Sequence, residues 1–126
     1  MPAAITCKEF RNHIQMEVNG TGTAEYVLSE CQKVWKRLSI LCSTSGKRKA
    51  LLLVHLRNRI HIGQSMDMAR LAEENGWTRQ YRLAIVSDPD NRMTMDLMKS
   101  FLIHRGFEAQ VFDTPRSARK WLASSE

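Results

Sequence analysis

The sequence predicts an α/β domain in ββαβαβαβα order: a mixed, mostly parallel sheet of about five strands, with four helices. The C-terminal third repeats one unit twice, since Arg82-Leu83-Ala84-Ile85-Val86-Ser87 runs into Asp88-Pro89, and Ala109-Gln110-Val111-Phe112 runs into Asp113-Thr114-Pro115. Proline in the first helical turn loses nothing by lacking an N–H, and Asp or Thr before it accepts a bond from a free first-turn amide. Strand-cap-helix units in series argue a parallel sheet, with its functional surface beyond the C-terminal strand ends. Second, Ala50-Leu51-Leu52-Leu53-Val54-His55-Leu56 is the most continuous apolar run. It is too short for an independent helix, which predicts a central strand buried on both faces. Third, Ile14, Met16 and Val18 alternate with Gln15, Glu17 and Asn19, and that period changes at Gly20.

In chain order, Ala4 to Phe10 is expected to pair antiparallel with the alternating strand. Gly20 to Thr23 turns the chain into a long helix with Thr23 as its cap and Glu25 in its first turn, where negative charge suits the helix dipole. Val27, Cys31, Val34, Leu38 and Leu41 form its inward stripe, and Ser43 to Gly46 ends it. After the central strand, Arg57 to Gly63 is the least regular segment. A short helix then runs from about Ser65 to Asn75, with Gly76 just beyond. The third helix, about Pro89 to Arg105, is expected to place Met93, Leu97, Met98, Phe101 and Leu102 on one side before Gly106. The last, from Pro115 to about Ser124, turns Ala118, Trp121 and Leu122 inward.

The chain has 126 residues, enough for one domain with one core, and no linker or low-complexity stretch divides residues 1–126. Hydrophobic residues at 43% and charged residues at 25% lie in the globular range. No apolar run approaches the roughly 20 residues of a membrane span, and the N-terminus lacks the pattern of a signal peptide, so a cytoplasmic protein is expected. Cys31 and Cys42 fall on one helix about 16 Å apart at 1.5 Å rise per residue, beyond disulfide reach. Reduced, buried thiols are expected. The net charge of +6 permits an anionic partner without requiring one.

With Val111-Phe112-Asp113 and Ala118-x-x-Trp121-Leu122 at its end, the chain resembles the STAS superfamily, specifically the small stand-alone SpoIIAA-like domains related to anti-sigma-factor antagonists. The turn Gly22-Thr23-Ala24-Glu25-Tyr26 and the strand Leu51-Leu52-Leu53-Val54-x-Leu56-Arg57 also look like theirs. The resemblance covers nearly the whole chain and rests on packing and capping residues. It implies a non-enzymatic binding or regulatory domain. Antagonists of that family carry an Asp-Ser-Ser-Gly-like turn with a phosphorylatable serine. Here Ile60-His61-Ile62-Gly63-Gln64-Ser65-Met66-Asp67 keeps one serine without that pattern, so Ser65 reads as a helix cap ahead of a phosphoswitch.

Catalytic signatures are absent. Gly63-Gln64-Ser65-Met66-Asp67 lacks the second glycine of a nucleophile elbow. The histidines at 13, 55, 61 and 104 have no metal-ligand spacing, and no metal or cofactor is expected. Asp88 and Asp90 after a strand resemble a magnesium-binding acidic pair, but capping is the main role assigned to Asp88. Trp77 and Tyr81 beside Arg79 and Arg82 could form an aromatic-basic patch, without the clamp or groove helix that nucleic-acid readers use. The expected function is therefore docking of a partner protein or a small anionic or apolar ligand at the rim where helix N-termini emerge. The residues assigned to it are His55, Arg57, Arg59, Ser65, Ser87, Asp88 and Thr114. Arg57 and Arg59 would project to one side if extended backbone continues through Asn58. Alternatives are a small enzyme using His55 or His61 as base, and a basic nucleic-acid-associated protein. A homo-oligomer is left open.

Overall fold

A computed structural model describes residues 4–20 and 27–124. The strands are β1 (Ala4–Glu9), β2 (Ile14–Gly20), β3 (Lys49–Leu56), β4 (Arg82–Ser87) and β5 (Glu108–Phe112), and the helices are α1 (Val27–Ser45), α2 (Ser65–Glu74), α3 (Arg92–His104) and α4 (Pro115–Ala123). They form one sheet in the order β1-β2-β3-β4-β5, with β1 antiparallel to β2 and every other pairing parallel. The protein is thus α/β in the expected element order, with β3 at the centre.

Strand order that follows chain order places each crossover helix on the same face, because right-handed crossovers step the chain sideways in one direction. One core accordingly lies between the sheet and α1, α2 and α3, built on Met16, Leu52, Ile85, Trp35, Leu38 and Leu102 among others. A smaller core lies on the opposite face, where α4 sets Ala118 and Leu122 against Leu51, Leu53, Ala84 and Val86. The burial patterns follow from this layering. β3 is buried without interruption from Ala50 to Val54 and β4 throughout, whereas β2 alternates because α4 does not cover its outer face.

α2 and α3 end alike. Gly76 and Gly106 take φ of 97° and 93°, a left-handed conformation that costs glycine little. The next residues, Trp77 and Phe107, then donate back to the carbonyls of Ala72 and Leu102 at 3.0 Å each. This closes the last turn and drives both aromatic side chains into the core. The prolines act as expected at the other helix ends. Pro89 opens a single 3₁₀ turn (Pro89–Asn91) capped by Asp88, and Pro115 opens α4 capped by Thr114.

Three expectations need correction. Met93 is 69% exposed, and the inward stripe of α3 is Thr94, Met95, Met98 and Leu102, with Leu97 and Phe101 half-buried. The tighter 3₁₀ turn before Arg92 rotates the chain further per residue than an α-helix does, shifting the helical phase. Trp121 is half-buried, its ring at the margin of the smaller core against Phe112 and under Arg82. β3 ends at Leu56 and the chain bends at Arg57 and Asn58, so the extended conformation that would align Arg57 with Arg59 does not continue. The Thr23 cap, Glu25 and the turn from Gly22 to Tyr26 lie outside the described residues.

Candidate docking rim

The parallel strands β2 to β5 deliver their C-terminal ends, Gly20, Leu56, Ser87 and Phe112, to one edge of the sheet. Segments that leave β3, β4 and β5 there behave differently. After β5, Thr114 accepts from the Ser117 amide at 3.2 Å, and the Asp113 carboxylate pairs with Arg92. After β4, Ser87 is buried and its hydroxyl donates to the Asp88 carbonyl at 2.9 Å. Asp88 uses both carboxylate oxygens: one accepts from the Asn91 amide at 3.0 Å, the other from the Leu56 amide at 3.2 Å. That second bond runs from the turn after β4 to the last residue of β3 and satisfies an amide beyond the β3–β4 pairing.

The segment 57–61 is irregular in backbone and leads into a 3₁₀ turn, Ile62–Gln64, yet it is fastened at several points. Asn91, wholly buried, accepts from the Ile60 amide at 2.6 Å and donates to the Asn58 carbonyl at 3.2 Å. Thr94 donates to the Ile60 carbonyl at 3.0 Å. His61 caps its own turn, its Nδ1 accepting from the Gly63 amide at 3.0 Å. Ser65 is not the N-cap of α2: that position is Gln64, which makes no side-chain capping bond, and Ser65 instead closes the preceding 3₁₀ turn, its amide donating to the Ile62 carbonyl. The Ser65 hydroxyl is buried and directed at two carbonyls, Ile62 at 2.7 Å and Thr94 at 3.1 Å. Phosphorylation there would require the start of α2 to open.

The candidate residues therefore divide. Ser65, Ser87, Asp88 and Thr114 are engaged in holding their own turns. His55, Arg57 and Arg59 carry exposed side chains. The His55 Nε2 meets the Glu17 carboxylate at 3.2 Å, on the sheet face away from α1 to α3. Neither Arg57 nor Arg59 has an ion-pair or hydrogen-bond partner for its guanidinium among the described residues. The segments that follow or pack on this loop expose apolar side chains that sequence periodicity did not single out: Ile62, Met66 and Met93. The Ser65 hydroxyl ties the backbone near them, because its two acceptors are the carbonyls of Ile62 and of the residue after Met93, while Met66 follows Ser65 itself.

Below the rim, between β3 and the three helices of that face, lies an apolar cavity of about 80 Å³ with an open mouth. No histidine and no serine lines it. Among the described residues no group of His, Cys, Asp and Glu could hold a metal ion, and no helix is long and apolar enough to cross a membrane. Trp77 is buried against Trp35 and Tyr81, so its ring is not the stacking surface an aromatic-basic patch would need.

Asn91 and Thr94 organise this site and carried no signal in the sequence beyond following a proline. Their partners are backbone groups of a loop about thirty residues earlier, and no local pattern encodes such contacts. The sequence matches no family model and no curated protein.

Proposed function

We propose that the protein is a non-enzymatic, STAS-like binding or regulatory module that docks an acidic protein surface at the helix N-terminal rim. The observation that carries this reading is that Arg57 and Arg59, unpartnered among the described residues, stand on a fastened loop that leads to exposed Ile62 and is tied to α2 and α3, which expose Met66 and Met93. Apolar anchors beside planar, bidentate cations suit a partner with carboxylates around an apolar contact. Methionine adapts to such a contact through its unbranched, polarisable side chain. Pre-ordering by Asn91, Thr94 and Ser65 lowers the entropy lost on docking. An enzyme would bring a histidine to a second polar group inside a pocket. The His55–Glu17 pair lies on an open sheet face, 46% and 38% exposed.

The test uses immobilised protein to recover a partner, which is then purified and titrated over a salt series. Arg57→Gln with Arg59→Gln should weaken binding and flatten its salt dependence. Met66→Ser with Met93→Ser should weaken binding and leave the salt slope unchanged. Both pairs should melt as wild type does, since these side chains are exposed. Wild-type affinity in both double variants would overturn the reading.

A further inference from the structure

The cavity beneath the rim supports an inference independent of docking: we infer that it binds a small, neutral, ring-containing molecule whose one hydrogen-bond donor turns toward Glu30. Its roughly 80 Å³ is several times what one water molecule needs, and the cavity opens at its mouth, where a guest can extend. Close-packed interiors leave few voids larger than a water molecule. Water gains little here, because the lining offers almost no polar partners. The polar groups that could face the space are already engaged. Trp35 donates its Nε1 proton to the Met68 carbonyl at 2.9 Å, and the Cys31 thiol approaches the same carbonyl at 3.9 Å. Burial pushes the Cys31 pKa up to about 12, so the thiol stays neutral.

The lining also selects by kind. Cys31, Met68, Met95 and Met98 present sulfur to the cavity, with Trp35 beside them. Sulfur packs favourably against aromatic rings, and unbranched methionines adjust to a flat guest. Glu30 is the charged side chain in the lining, and Lys33 pairs with it at 3.3 Å. An anionic ligand would meet a like charge in an apolar surround, and a cationic one would compete with Lys33. A neutral hydroxyl or amide N–H instead donates to a carboxylate oxygen without adding charge.

Protein labelled with ¹³C at the methionine methyls and titrated with 2-naphthol tests this directly. The expected result is saturable movement of the Met68, Met95 and Met98 methyl signals, with Met66 and Met93 as internal controls at the exposed rim. 2-Naphthoate, the same ring bearing an anion, should bind at least about tenfold more weakly. Val54→Phe, which fills the cavity from β3, should weaken 2-naphthol by a similar factor. The inference fails if the cavity methyls do not move, if Met66 and Met93 move equally, or if naphthoate binds as well as naphthol. It fails also if a folded Val54→Phe variant binds as wild type does. Should that variant not fold, the wild-type titration decides alone. Loss of rim docking in the Arg57 and Arg59 variant would leave this titration unchanged, so the two readings fail separately.

Discussion

Asn91 is the side chain on which the rim depends most. It is wholly buried and contacts the Ile60 amide, the Asn58 carbonyl and the Asp88 carboxylate. Asn91→Ala strands two backbone groups of the loop, each costing about 1–3 kcal/mol if left buried and unpaired. The expected loss in denaturant melts is about 2–4 kcal/mol, with faster amide exchange confined to residues 58–62. A loss under about 0.5 kcal/mol would mean that water replaces the amide at no cost. At the far end of the sheet, His13 is buried and stacked on Phe10. Burial first, then the charges of Arg119 and Lys49, hold its pKa below the ordinary 6.5. The folded state thus resists protonation that the unfolded chain accepts. The His13 contribution is whole above about pH 6.5 and is lost as pH falls from there to the depressed folded value. His13→Gln should remove that part of the pH dependence, read as a smaller difference between melts at about pH 7 and pH 5. An unchanged slope would assign the acid sensitivity to carboxylates instead.

At the scale of elements, helix ends were legible and helix faces less so. Asp88-Pro89, Thr114-Pro115, Gly76 and Gly106 are local chemistry, because a cap or a left-handed glycine interacts with the four or five residues around it. The exposure of Met93 was not legible, since it depends on a 3₁₀ turn that forms where Asn91 reaches a distant loop. The docking loop was recognisable only as irregular. Its order comes from buried side chains on α3 and the turn before it, which sequence spacing cannot connect to it. Trp121 shows the same limit in α4. Periodicity places it inward, yet the ring lies at the margin, 4.0 Å from the Arg82 guanidinium, which also pairs with Glu108 at 3.1 Å. Trp121→Ala should therefore cost about 1–3 kcal/mol, below the 3–5 kcal/mol of a fully buried ring. A loss above about 4 kcal/mol would show that Arg82 depends on the ring for its burial.

For the molecule as a whole, strand order that copies chain order implies an order in time. Each strand pairs with its immediate predecessor in sequence, so β1 to β5 can zip together through successive short crossovers, with little loop entropy lost at each step. α4 is the exception. It is the last of the described elements yet reaches back to β3 and β4, and Arg119 on it bonds Gln15 at 2.8 Å across 104 residues of sequence. Those long-range contacts should form after the rate-limiting step. Leu122→Ala, which empties part of the smaller core, is expected to speed unfolding and leave the folding rate almost unchanged, a φ-value of about 0–0.3 in a chevron analysis. A φ-value near 1 would mean that α4 seeds the sheet. If α4 does dock last, the outer face of β3 and β4, with Leu51, Leu53, Ala84 and Val86, stays bare until α4 arrives. A nascent chain would then expose an apolar stripe to chaperones and to its neighbours until α4 has emerged and docked.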